Sequence, residues 1–301
     1  MTTLIQALLL AGIFSTAIVS AYAQTVNEIG NSVVMDLYAR YNWITEHCGT
    51  DKLQPAFYCS GIIIRTTGTG DYDHWDPSPH SITSGGVSFS YIRADVLGGV
   101  YGVSDVHGFL LDAPEKMAAG KLKPTVLCYF PRDASSSHRS GEGGCGEENG
   151  DLYSRPCDTL GIHSAAEWYQ NMVDHKTMCG FNLKDPKIAT EVFHQGILTS
   201  KYIEASVIKN SKGFTGWNEL ILKAWTPGAP GKLPIQAFFY APWKGDERLA
   251  YAGRKTAMLD QKKYFEKTGV FVPVIEITVP RSVNEGSFKF SYHLDDQTIQ
   301  P

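Results

Sequence analysis

An α+β fold is predicted by three features of this sequence. Short apolar, β-branched runs and stretches of helical period follow one another without a regular βαβ alternation, which disfavours a parallel sheet. Hydrophobic residues make up 43% of the chain and aromatic ones 12%, enough for a real core and high in the manner of secreted β-rich proteins. Gly, Pro, Ser and Asp cluster between the runs, at 66–86 and again at 131–162, and read as loops.

The elements follow in order. Residues Met1 to Ala23 carry no charged side chain, Leu4 to Val19 is almost wholly apolar, and Ala21-Tyr22-Ala23 forms a small-x-small site before Gln24. This predicts a cleaved signal peptide over 1–23. The apolar core, about sixteen residues, is short for a bilayer span. Val26, Ile29, Val33, Leu37, Tyr41 and Ile44 repeat with a helical period. Phe57–Arg65 and Val87–Arg93 read as strands, as do segments within Val100–Leu111 and Thr125–Phe130. Ser164-Ala-Ala-Glu167 is a capping box that opens a helix through His175. A second helix is predicted over Ile188–Ala205, and a third over Leu249–Lys267 with Gly269 as its stop. Strands are expected at Asn218–Trp225, Ile235–Tyr240, Val270–Val279 and Ser287–Tyr292.

Residues 24–301 read as one catalytic domain carrying a cysteine-rich insertion around 131–180. The six cysteines all follow the predicted cleavage point, so an exported, disulfide-bonded protein is expected. Cys48 and Cys59 flank a turn-like stretch containing Pro55 and are expected to pair. Cys128, Cys145, Cys157 and Cys179 staple the insertion, in an order the spacing leaves open. No C-x-x-C pair occurs, which argues against a zinc site or a thioredoxin-like motif. The net charge of −4 and the lack of a basic amphipathic helix point away from nucleic-acid and membrane partners.

Three polar interruptions of strand-like runs carry the chemistry: Arg65 in CSGIIIRTT, Ser88 and Ser90 in GGVSFSYIR, and Glu219 in GWNELILKAW. An ionisable group buried without a partner costs several kcal/mol, so such a residue is either an exposed edge group or part of a site. Arg65, ending a strand, can grip a phosphate bidentately. Ser88 and Ser90 share one strand face, with Phe89 and Tyr91 on the other. Glu219 opens a strand, where a carboxylate is held rigidly and can still face a cleft. Each alone is an ordinary strand-end or surface residue as readily as a functional one.

Together, in this order, they resemble the arginine, serine-strand and glutamate signature of the ADP-ribosyltransferases. PAFYCSG, HWDPSP, VLCYFPRDA, NEL, LPIQAFFY and DQKKYF, spread over most of the chain, look like halovibrin, a family of secreted bacterial NAD glycohydrolases with reported ADP-ribosyltransferase activity. The resemblance implies mixed and antiparallel sheets around a cleft that takes NAD as substrate, with no further cofactor. In it Glu219, Arg65 and Ser88 are catalytic. Arg65 holds a dinucleotide phosphate, Ser88 and Ser90 offer hydroxyls, and Phe89, Tyr91 or Trp217 stacks the nicotinamide. Water is the expected acceptor, because Trp217 stands two residues before Glu219 where protein-modifying members have Glu or Gln. A host or competitor protein as acceptor is the alternative, and a non-catalytic secreted binding module the second.

Departures from the signature are Thr66-Thr67 after the arginine, Phe89 between the serines, and the sequence separation of 131 from Ser88 to Glu219. Glu276 in VPVIEITVP is a rival carboxylate, as are Glu142, Glu147 and Glu148 in the insertion. Asp71, Asp73 and Asp76 with His74 and His80 hint at a metal, but the spacing lacks the Gly and the Glu of an EF-hand, so none is expected.

Overall fold

The computed structural model describes residues 25–50, 54–68, 73–83, 85–96, 107–116, 124–132, 145, 155–175, 178–209, 217–225, 233–242, 247–280 and 286–298. The predicted signal peptide, Asp71, Glu142, Glu147 and Glu148 lie outside them. The protein is a mixed α+β structure built on one large, mostly antiparallel sheet of nine strands.

A helix, α1, spans 25–42 and leads into a two-stranded ribbon of β1 (His47–Cys48) and β2 (Gln54–Pro55). Then come β3 (Ile62–Thr66), the short helix α2 (Pro79–Thr83), β4 (Val87–Ile92), β5 (His107–Leu111) and β6 (Thr125–Phe130). After α3 (Ala165–His175) follow β7 (Phe181–Asn182), α4 (Ala189–Lys209), β8 (Glu219–Lys223) and β9 (Ile235–Tyr240). The chain closes with α5 (Glu247–Thr268), β10 (Val274–Thr278) and β11 (Lys289–Tyr292). The strand order is β11-β10-β9-β5-β3-β4-β8-β6-β7, in which only β9 and β10 run parallel.

Both faces of the sheet are buried, which is why its central strands read as unbroken apolar runs. On one face Ile63, Phe89, Tyr91, Phe109, Leu220 and Phe238 pack against Phe193 and Ile197 of α4 and Ala257 and Tyr264 of α5. On the other, Ile62, Ile64, Ile92, Leu110, Phe239 and Ile275 meet Leu37 and Tyr41 of α1. The 3.6-residue period of α1 supplies that stripe, and its tyrosines also bond the sheet edge: Phe290 N donates to the Tyr38 hydroxyl at 3.0 Å.

Local signals explain several ends. Glu167 accepts hydrogen bonds from the amides of His163 and Ser164 at 2.9 Å while its own amide donates to Ser164 Oγ at 3.3 Å, the reciprocal capping box that starts α3. Those donors hold the Glu167 carboxyl below its ordinary pKa. Gly269, at φ 69°, ends α5. One expectation is corrected: Phe57–Arg65 is not one strand. Ala56–Tyr58 forms a 3-10 turn, and Gly61 at φ 69° redirects the chain before β3 begins at Ile62.

The three disulfides are Cys48–Cys59, Cys128–Cys145 and Cys157–Cys179. They are compatible with an oxidising compartment, and no helix among the described residues is long and apolar enough to cross a membrane. Cys157–Cys179 closes a 22-residue separation and ties the segment before α3 to β7. Its loop entropy corresponds to about 3 kcal/mol. The double variant Cys157→Ala/Cys179→Ala is expected to melt lower by roughly 2–4 °C per kcal/mol lost. An unchanged calorimetric midpoint would show that this bridge does not hold the fold.

Candidate active site

The site grows out of a change of partners along β4. Its second half is laddered to β3, with Ser90 opposite Ile64, Tyr91 opposite Ile63 and Ile92 opposite Ile62. Its first half is laddered to β8, with Val87, Ser88 and Phe89 opposite Leu222, Ile221 and Leu220. Beyond Ile64, β3 continues as the partner of β5, with Arg65 opposite Phe109 and Thr66 opposite Gly108. Glu219, at the start of β8, is opposite Phe130 of β6. So β4 parts from β3 at one end and from β8 at the other.

A side chain spans each parting. Where β3 leaves β4, Arg65 Nη1 donates to the carbonyl oxygen of Ser88 at 2.5 Å. Where β8 leaves β4, the amide of Asn218 takes the place of a ladder peptide. Its Nδ2 donates to Tyr91 O and its Oδ1 accepts from Tyr91 N, both at 2.7 Å. Between the two clasps the Ser88 hydroxyl donates to Glu219 Oε1.

Alternation sets the faces. Ser88 and Ser90 share their face with Ile221 and Glu219, while Phe89 and Tyr91 point into the core beneath α4 and α5. Glu219 is 4% exposed, whereas Arg65, Ser88 and Trp217 are half-buried. A carboxylate this buried needs hydrogen-bond donors, and the Ser88 hydroxyl is one. Arg65, in register with Phe109, stands on the Phe89 side and reaches the main-chain carbonyl of Ser88, while the Ser88 hydroxyl meets Glu219, so Ser88 links the arginine of β3 to the glutamate of β8.

Three of the residues expected to contact the ligand are buried. Phe89 is 1% exposed and Tyr91 and Ser90 are 0% exposed. Tyr91 donates its hydroxyl to Ser60 O at 3.0 Å, and burial raises its pKa. These residues pack in the core and at the strand junction. Trp217, two residues before Glu219, is half-buried.

The rival residues lie elsewhere. Glu276 accepts from the Tyr240 hydroxyl at 3.2 Å and pairs with His293 at 3.4 Å, five strand steps or about 24 Å from β8. Asp73 and Asp76 face Lys267 at 3.1 and 3.8 Å, and His74 meets Asp260 at 3.1 Å, so this segment is docked on α5. Among the described residues no three ligating side chains gather as a metal site would require. Near the end of β3, Thr67 Oγ1 lies 3.1 Å from His107 Nδ1, and the His74 and His107 rings are 6.2 Å apart.

Sequence reading missed Asn218. Its position before a glutamate and an apolar strand was visible, but its partner is 127 residues away. No protein-family model matches this chain, and no curated protein matches it significantly.

Proposed function

We propose that this protein is a secreted enzyme that hydrolyses NAD to nicotinamide and ADP-ribose. The observation that carries the reading is the hydrogen-bonded link from Arg65 through Ser88 to Glu219 over three adjacent strands, from residues far apart in sequence. It has the residue types and the strand positions of the ADP-ribosyltransferase signature. The parting of β3 from β4 beside Arg65 fits a cleft there.

In this reading the bond between the ribose anomeric carbon and the nicotinamide nitrogen breaks, and its electron pair leaves with nicotinamide. A cationic pyridinium becomes a neutral base, so the leaving group needs no protonation. The ribose takes on oxocarbenium character, as in glycoside hydrolysis, and water adds and loses a proton. Glu219 accepts a hydrogen bond from a ribose hydroxyl and offsets the developing positive charge, in a setting where little solvent screens it. Ser88 fixes the carboxylate, Arg65 holds a phosphate of the dinucleotide, and Trp217 offers a flat wall to the nicotinamide. An indole is a donor only and accepts no proton from an incoming side chain, so Trp217 favours water over a protein acceptor.

Purified protein mixed with etheno-NAD should give a fluorescence rise as the glycosidic bond is cleaved. No rise overturns the reading. A parallel reaction with biotin-tagged NAD should leave protein unlabelled, and labelled protein would move the assignment to a mono-ADP-ribosyltransferase.

A further inference from the structure

We infer that Asn218 is the positioning residue of the candidate site: its side-chain amide acts as a spacer between β4 and β8 and thereby sets where the Glu219 carboxylate stands. The inference rests on the NAD-cleaving reading for its catalytic consequence, though not for its geometry.

The ladder between β4 and β8 pairs Val87 with Leu222, Ser88 with Ile221 and Phe89 with Leu220. Continued in register, it would set Ser90 opposite Glu219 and Tyr91 opposite Asn218, and the two backbones would close on one another. They do not close. Tyr91 bonds the Asn218 side chain through both its N–H and its C=O, at 2.7 Å each, where a strand would offer its own peptide. The amide reproduces the donor and acceptor of a peptide group but holds the two chains a side-chain length further apart. Tyr91, 0% exposed, thus keeps both backbone bonds. Glu219 is laddered to Phe130 of β6, and its carboxylate accepts from the Ser88 hydroxyl.

Asparagine fits this task because a single planar group carries one donor and one acceptor on a short stem. Aspartate presents only acceptors when ionised and sets an oxygen against the Tyr91 carbonyl. Protonated, it donates, and the two bonds are restored. Alanine offers neither. With both bonds gone, β8 closes on β4 or Tyr91 stays unsatisfied, and in either case Glu219 moves relative to a bound ribose. Misplacement by about 1 Å can cost on the order of 10²-fold in rate.

The test uses Asn218→Ala and Asn218→Asp beside the unaltered protein, with NAD as the probe. Asn218→Ala is expected to lose on the order of 10²-fold in kcat with KM for NAD unchanged. For Asn218→Asp the ratio of variant to wild-type kcat should rise as pH falls, because protonation restores the donor. A purely structural part for Asn218 predicts a lower melting point with no such pH trend. A flat ratio for Asn218→Asp, or an undiminished kcat in a folded Asn218→Ala, overturns the inference while NAD hydrolysis stands. If the wild type is inert toward NAD, that reading falls, and hydrogen exchange at the Tyr91 amide decides the clasp. Faster exchange in the variants upholds it, and equal exchange overturns it.

Discussion

Glu219→Gln should lower NAD turnover by about 10²–10³-fold while the protein still folds. The substitution keeps the shape of the side chain and an oxygen that can accept from the Ser88 hydroxyl. What it removes is the negative charge. With Glu219 only 4% exposed, little water screens that charge, so its attraction for a developing oxocarbenium centre is large. The same burial protects the fold, since a neutral amide costs less to hold in a low-dielectric site than a carboxylate does. The loss should therefore sit in kcat, with the melting point near that of the wild type. Glu276→Gln is the control and should hydrolyse NAD normally, because that carboxylate is bonded to Tyr240 and His293 beyond four intervening strands. Near-normal turnover by Glu219→Gln would move the role to Glu276 or to the glutamates of the insertion.

Much of this architecture was legible in the sequence because burial and side-chain period were. Thr125–Phe130 and Ile235–Tyr240 are strands with the limits their apolar runs give. The Ser164 box opened α3 where its chemistry requires. The same signal misled at Phe57, because an apolar run reports that residues are inside, not what conformation they take there. Ala56 and Phe57 are buried in a 3-10 turn, with the Cys48–Cys59 bridge beside it. Alternation also carried more than was drawn from it. It set Phe89 and Tyr91 on the face opposite Ser88, the side on which α4 and α5 close the core. The remaining disulfide partners and the Asn218 clasp stayed hidden for one reason. Each depends on which distant segment lies alongside, and local spacing holds no record of that.

A large loss of stability is expected from Gly108→Ala, although it adds a single methyl group. Gly108 lies opposite Thr66 in the ladder between β3 and β5. A Cβ built there would meet Arg65 O at 2.0 Å and Thr66 Cα at 2.8 Å. Both are backbone atoms of a central strand, so no side chain can swing away to make room. The strands must separate, and overpacking of this kind costs about 1–3 kcal/mol or more. The separation starts at Arg65 itself, so its bond to Ser88 O and its hold on a phosphate weaken with the ladder. Gly108→Ala should therefore lower the urea midpoint and raise KM for NAD together. Gly269→Ala separates clash from backbone strain: that glycine has φ 69° and nothing within 4 Å of its Cβ position. It should cost only the left-handed penalty of about 1–2 kcal/mol and leave KM alone. If Gly108→Ala proves as mild as Gly269→Ala, with KM unmoved, then β3 and β5 do not approach as closely as described, and Arg65 does not owe its position to that contact.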